Sequence, residues 1–193
     1  MLSPVSAIGD EAILRNLATA LEEEMKTHSA CKAFAVKADL EGLHGIASLF
    51  RATARAEQIH ANNHARVIRH MGGEALAGTV DPHVDTTLEN LKSALVDQKF
   101  EIDYLYPTFL NSAVSLFDST AIRSFTWALE ADKSHVRLYN DAIARMNSTG
   151  RSGWAHSKHD FFVCSLCGYT AQNPESENCP ACNFLWEKFE TIQ

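Results

Sequence analysis

The stretch Leu49–Val67, LFRATARAEQIHANNHARV, is rich in alanine and arginine, and apolar residues recur around it at three- and four-residue steps, as in Ile46, Leu49, Phe50 and Thr53. This is a helical pattern. Within it stands Glu57-Gln58-Ile59-His60, an acid and an imidazole three positions apart and therefore on one helix face. Four-helix bundles build two-metal sites from a Glu on each of two helices and a Glu-x-x-His on each of the other two. The stretch thus raises the question of whether three further helices supply the rest.

The same period continues on both sides, beginning with Ile13, Leu14, Leu17 and Leu21, and predicts helices over 10–40, 43–71, 86–116 and 119–147. Gly42 stands where the first should stop, and Gly72 and Gly73 follow the second. Thr86 with Glu89 is a capping-box candidate for the third helix, and Ser119 is a candidate cap for the fourth. Pro107 should kink the third helix or mark a boundary in it. The first and last connections are short and make antiparallel neighbours. The middle one, GGEALAGTVDPHVD, could extend over roughly 46–50 Å. That matches the roughly 43 Å length of the second helix. The expected fold is mainly α, a ferritin-like four-helix bundle with one long crossover.

On the predicted fourth helix, Asp132-Lys133-Ser134-His135 is the nearest equivalent of the Glu-x-x-His pair, with aspartate for glutamate. The first helix offers Glu22, Glu23 and Glu24, of which Glu24 best continues the inward side toward Cys31. The third offers Glu101, with Gln98 one turn earlier on the same face. One acid–histidine pair alone is common on solvated helix faces. Two pairs on helices two and four, with acids available on one and three, favour a two-metal site.

The chain has 193 residues, 46% of them apolar, enough for one ordinary domain and a small appendage. A formal net charge of −7 without a basic cluster argues against a nucleic-acid surface. The N-terminus lacks the pattern of a secretory signal, and no apolar run approaches membrane-spanning length. These features predict a cytoplasmic protein with no nucleic-acid or membrane partner.

The bundle is expected over 1–147, a polar linker over 148–160 and a separate module over 161–193. Four of the five cysteines, Cys164, Cys167, Cys179 and Cys182, lie in this module as two C-x-x-C pairs separated by eleven residues. Such pairs can deliver four thiolates to one tetrahedral ion. Gly168 and Asn183, each directly after the second cysteine of a pair, tolerate the left-handed backbone that such a knuckle demands. So short a module needs its metal in order to fold. The C-G-Y and C-P-x-C forms, with Phe161, Tyr169, Phe184, Trp186 and Phe189 around them, resemble rubredoxin. That resemblance implies a mononuclear iron, with zinc as a possible replacement.

Taken together, LFRATARAEQIHANNHARV, EIDYLYPTF, FTWALEADKSHVRLY and VCSLCGY with CPAC resemble the rubrerythrin family, over nearly the whole chain and in the same order. The resemblance implies a non-haem di-iron centre that reduces hydrogen peroxide to water in oxidative-stress defence. It also implies a rubredoxin-like module that relays electrons from a donor reductase or rubredoxin, and a homodimer that juxtaposes the two kinds of centre across subunits. It makes Glu24, Glu57, His60, Glu101 and His135 the matched bundle ligands and the four cysteines the mononuclear site. Glu101 and Tyr106 are expected to serve catalysis, and Tyr104 and Tyr106 to hydrogen-bond a ligand carboxylate. Gln98 and Asp132 depart from the family, which usually has glutamate at both positions. Gln98 removes a charge, and Asp132 is a methylene short of the usual bridging reach. Ferroxidase or oxygen-linked chemistry, or an impaired iron-binding or electron-transfer protein, are the alternatives these departures leave open.

Overall fold

The computed structural model describes residues 4–78, 81–147, 153–173 and 177–193, with side chains from residue 9 onward. Helices α1 (Pro4–Leu40) and α2 (His44–His70) form the first antiparallel pair. The turn between them is closed by Gly42 at φ 72° and the Leu43 N–H to Ala38 carbonyl bond. A second left-handed glycine, Gly72 at φ 81°, ends α2 as predicted.

The crossover then leads into α3 (Thr87–Phe100). Thr86 caps α3 by accepting from the Glu89 N–H, but Glu89 does not return the bond that would complete a capping box. Its carboxylate pairs with Lys92 instead, and the Thr86 N–H is taken by Asp85. The Asn90 side chain binds both the N–H and the carbonyl of Asp85, tying the end of the crossover to the first turn of α3.

Pro107 neither breaks nor ends this helical stretch. Between α3 and α4 (Tyr106–Ser115), residues Glu101–Leu105 widen into a π-helical turn, and Pro107 falls in the first turn of α4. Proline lacks the N–H for the ordinary i−4 bond and would crowd that carbonyl. The wider turn, in which the Tyr106 N–H reaches the Glu101 carbonyl, lets the helix pass through. At the end of α4, Phe117 adopts φ 58° and leads to α5 (Ser119–Asn147). The cap of α5 is Asp118, not Ser119 as expected: one Asp118 oxygen accepts from the N–H groups of Thr120 and Ala121 at 2.9 Å each.

Two apolar clusters fill the bundle. One is built on Phe34, Leu49, Phe50, Leu91 and Tyr139, the other on Leu17, Ile68, Tyr106, Phe109 and Phe125. Between them, one position from each helical stretch after another is polar and buried: Glu24, Glu57, Gln98 and Asp132 all show 0% exposure.

After the bundle, a short helix α6 (Gly153–His156) packs on α2, and Trp154 stacks on His159 at 4.8 Å. Strands β1 (Phe161–Cys164), β2 (Thr170–Ala171) and β3 (Phe189–Ile192) make an antiparallel sheet in the order β2-β1-β3. Phe161 and Val163 of β1 are buried in the first bundle cluster. The module therefore docks on the bundle of its own chain. No helix of the described residues is long and apolar enough to cross a membrane.

Asp118→Ala should cost about 1 kcal/mol through loss of the α5 cap. Ser119→Ala should be near neutral, and the denaturation midpoints of the two metal-loaded variants check the assignment.

Candidate metal centres

The polar layer of the bundle gathers Glu24 from α1, Glu57 and His60 from α2, Gln98 from α3, Glu101 from the π turn, and Asp132 and His135 from α5. None is more than 3% exposed. Glu57 joins the two halves of the layer. One of its oxygens lies 2.9 Å from His60 Nδ1; the other lies 3.5 Å from His135 Nδ1 and accepts from the Gln98 amide at 3.1 Å. Two groups with metal-ligand geometry result, Glu24–Glu57–His60 and Glu57–Asp132–His135.

The two departures from the family pattern have definite places. Asp132 Oδ1 lies 3.7 Å from His60 Nδ1 and 3.6 Å from His135 Nδ1, so the shorter side chain still stands between the two histidines. Among the described residues, both its oxygens are buried without a hydrogen-bond partner. A buried carboxylate left so is costly unless a cation fills the space. This orphaned group, facing two imidazole nitrogens and Glu57, fits a pair of metal ions. Gln98 acts as a clamp: its amide donates to Glu57 and, at 2.8 Å, to Glu101, while its Oε1 lies 2.9 Å from His135 Nδ1. Glu101 is held against Gln98 and belongs to neither three-residue group.

The electrostatics describe an acid-rich cavity short of positive charge. Burial lifts the Asp132 carboxyl to about 7 and, with the Asp132 and Glu24 charges beside it, holds Glu101 well above the carboxylate range. Burial also raises Glu57. Burial alone would depress both histidines, but the carboxylates outweigh it. Glu24 and Glu57 raise His60 well above its usual value, and Asp132 and Glu57 bring His135 to about 9. Against the cost of burial, His60 draws Glu24 well below the usual range.

Both histidines turn Nδ1 inward and Nε2 toward the module. His60 Nε2–H donates to the Cys167 carbonyl at 3.0 Å. His135 Nε2 lies 3.2 Å from Thr170 Oγ1; that hydroxyl donates to the Gly168 carbonyl, so it accepts from the imidazole. These acceptors keep each Nε2 protonated, so it is the Nδ1 proton, directed in the metal-free layer at Glu57 or at Gln98 Oε1, that a metal ion displaces. Gly168 is required twice over: its φ is 81°, and a Cβ there would collide with His60 Nε2. Further docking bonds run from Asn63 to the Leu166 carbonyl, from the Thr170 N–H to Ser134 Oγ, and from Arg55 bidentately to Glu190.

In the module, Sγ atoms lie 3.6 Å apart for Cys164–Cys182 and 3.5 Å for Cys167–Cys179. That is far beyond the roughly 2.05 Å of a disulfide. It is near the roughly 3.8 Å edge of a tetrahedron with 2.3 Å metal–sulfur bonds. The predicted knuckles are present: the N–H groups of Gly168 and Asn183 bond the carbonyls of Cys164 and Cys179, and Asn183 has φ 60°. Hydrogen bonding among the sulfurs pulls Cys164 and Cys179 toward thiolate and holds Cys167 and Cys182 as thiols. A metal ion lets all four ionise.

Several residues depart from expectation or escaped it. Tyr104 is 66% exposed and away from the site, stacked on Phe100. Tyr106 is buried and donates to Glu24 Oε1 as expected. His28 binds the Ala54 carbonyl at 2.7 Å, whereas His64 is wholly buried and bonded to Tyr106. Thr170, Ser134, Asn63 and Ser124 had no signal in the sequence, because each acts through a contact between distant segments.

The family model described as Rubrerythrin matches residues 15–143. Rubrerythrin-2 of Clostridium acetobutylicum is 30% identical over 91% of this chain and 94% of its own. Nigerythrin of Nitratidesulfovibrio vulgaris is 32% identical over 92% of this chain and 84% of its own. The structure of nigerythrin in its fully reduced, all-ferrous state superposes with a TM-score of 0.83 at 29% identity, covering 93% of this chain and 86% of that one. A Desulfovibrio desulfuricans bacterioferritin shares the fold alone, at a TM-score of 0.66 and 18% identity.

The metal-free protein should lose stability as pH rises from about 5 to 9. Asp132, with its folded pKa raised, pays an ionisation cost that grows through pH 7. His135, also raised, contributes stability that is full below its ordinary 6.5 and lost through about 9. Lowered His64 opposes this only below about 6.5, and Cys164 and Cys179, drawn toward thiolate, oppose it up to the ordinary thiol range, but the raised histidines and carboxyls outnumber them. Melting temperatures of chelated protein across this range test the sign, and metal loading should reverse the trend because the ligands bind deprotonated.

Proposed function

Because the chain belongs to the rubrerythrin family, a family of di-iron proteins of oxidative-stress defence, we propose that it is a peroxidase that reduces hydrogen peroxide to water. Electrons reach its bundle through the four-cysteine iron, from a reductase or rubredoxin. The observation that carries this reading is the position of His60. Its Nδ1 faces Glu24, Glu57 and Asp132, while its Nε2–H binds the carbonyl of Cys167. A single imidazole therefore connects the two candidate centres.

Glu24, Glu57 and His60 would hold one bundle iron, and Glu57, Asp132 and His135 the other. Glu57 and Asp132 lie between His60 and His135, and Gln98 and Glu101 are at hand. Four carboxylates and two histidines are the complement of simpler di-metal bundles. When bound, the two ferrous ions supply the two electrons of H2O2 + 2 H+ + 2 e− → 2 H2O, and the four-cysteine iron returns electrons singly. The protein's share is to exclude bulk water, offset the metal charge with buried carboxylates and orient both imidazoles through Cys167 and Thr170. Tyr106 holds Glu24 in place by its hydroxyl.

The expected homodimer is not needed to bring the centres together, since the contacts form within one chain. Homodimerisation remains part of the proposal on the strength of the family resemblance alone.

Anaerobic reconstitution should yield about three irons per chain, two for the bundle and one for the cysteines. Stopped-flow mixing of reduced protein with peroxide should then oxidise the four-cysteine iron rapidly. Iron oxidation under oxygen without peroxide turnover would instead favour a ferroxidase, and one iron per chain with slow oxidation would leave only the module functional. Gly168→Ala, which pushes the module off His60 and also strains the knuckle, should slow that oxidation at least tenfold in the fraction of protein that retains its four-cysteine iron. Gln98→Glu should raise the affinity of the Glu57–Asp132–His135 group for its metal by about tenfold, read by titration.

A further inference from the structure

A line of hydrogen bonds runs from the surface to Glu24 and takes one residue from each helical stretch of the bundle. Ser124 of α5 lies 2.8 Å from His64 Nδ1 of α2, His64 Nε2 lies 3.2 Å from the Tyr106 hydroxyl of α4, and Tyr106 donates to Glu24 Oε1 of α1. His64, Tyr106 and Glu24 are 0% exposed and Ser124 is 4% exposed. Ser124 also lines a cavity of about 100 Å³ at the seam between bundle and module, with Asn63, Thr120, Trp127 and Leu166 around it and the exposed Arg66 and Arg123 at its rim.

The chemistry of the groups fixes the direction of every bond. An ionised carboxylate only accepts, so Tyr106 donates to Glu24. The Tyr106 oxygen must then accept from His64 Nε2–H. A neutral imidazole with Nε2 protonated has a bare Nδ1, which accepts from the Ser124 hydroxyl. All three donors point from the cavity toward the metal-binding layer. The His64 ring is held between Tyr106, 6.0 Å away and inclined at 30°, and Phe125, 5.5 Å away, so it is fixed in this alignment.

We propose that Ser124, His64 and Tyr106 form a proton-delivery path from the seam cavity to Glu24, supplying protons for the reaction at the bundle centre. The proposal rests on the peroxidase reading for its purpose, since each peroxide consumes two protons. In one pass a water in the cavity gives a proton to Ser124 as the serine gives its own to His64 Nδ1, and the hydroxide left behind takes a proton from bulk solvent. His64 Nε2 passes its proton to Tyr106, Tyr106 passes its proton to Glu24, and peroxide takes it from there, which returns Glu24 to its carboxylate form. Each transfer breaks one O–H or N–H bond and forms another, and no electrons move. A further pass requires the imidazole to return to its Nε2–H tautomer. His64 and Ser124 are positioning and relay groups, not metal ligands.

The test separates a relay from a structural contact. His64→Gln keeps an amide donor for Tyr106 but cannot pass a proton through. Ser124→Val removes the hydroxyl and fills its space against water, while Ser124→Thr keeps the hydroxyl. In zinc-loaded protein, exchange of the Tyr106 hydroxyl proton with solvent, followed by NMR, should fall at least tenfold in His64→Gln and in Ser124→Val. It should stay near the wild-type rate in Ser124→Thr, with zinc stoichiometry unchanged in all three. Unchanged exchange in His64→Gln overturns the relay, and unchanged exchange in Ser124→Val overturns the path through the serine. In iron-loaded protein the first two variants should lose about tenfold in peroxide turnover, with a larger solvent isotope effect. Slowed exchange in a protein without peroxide turnover would sustain the path and sink the peroxidase reading. Lost turnover with unchanged exchange would do the opposite.

Discussion

The structure depends on the burial of Glu24, Glu57, Glu101 and Asp132 in one layer of a bundle that is apolar above and below. Carboxylates at this depth repel one another and lose their hydration, and a bundle without compensation would gain by expelling them. Only part of the compensation comes from protein. His60 and His135 offer positive charge, Gln98 donates to two carboxylates, and Tyr106 donates to a third. Asp132 receives no hydrogen bond from any described residue. The remaining deficit is what a pair of cations satisfies, so metal binding and bundle stability are parts of one balance.

Gln98 shifts that balance in a particular way. It takes a charge from the layer, yet its amide bridges Glu57 and Glu101 with two donors that a glutamate would not have. The substitution exchanges hold on a metal for order in the metal-free layer. The π turn at Glu101–Leu105 belongs to the same region. It lets the helix carry Pro107 without a break, so that Glu101 on one side and Tyr106 on the other both remain buried.

The docked module extends the layer's control outward. Backbone carbonyls of Cys167 and Gly168 and the hydroxyl of Thr170 set the outer nitrogens of both histidines, directly or through one bond. The four-cysteine knuckle therefore does more than bind its own ion. A change in its seating would alter the orientation of the bundle ligands, and the bidentate Arg55–Glu190 pair and the buried Phe161 and Val163 resist such a change.

The four helical stretches, the crossover, the acid–histidine pairs and the cysteine module were all legible in the amino-acid sequence. Each is written in local periodicity or fixed spacing, as with Glu57 and His60 three apart or Cys164 and Cys167 with Gly168 behind them. Its errors were local competitions: Asp118 displaced Ser119 as a cap because its carboxylate reaches two N–H groups, and Pro107 was absorbed by a wider turn. That the module sits on its own bundle, that neither Asp132 oxygen has a hydrogen-bond partner among the described residues, and that His64 connects Ser124 to Tyr106 are consequences of how the segments pack. These relations join residues far apart in the chain, 42 positions for His64 and Tyr106, 60 for His64 and Ser124 and 107 for His60 and Cys167, and depend on which side chains face one another once the helices pack. No pattern within one helix encodes such a pairing, because its energy exists only when both segments are in place.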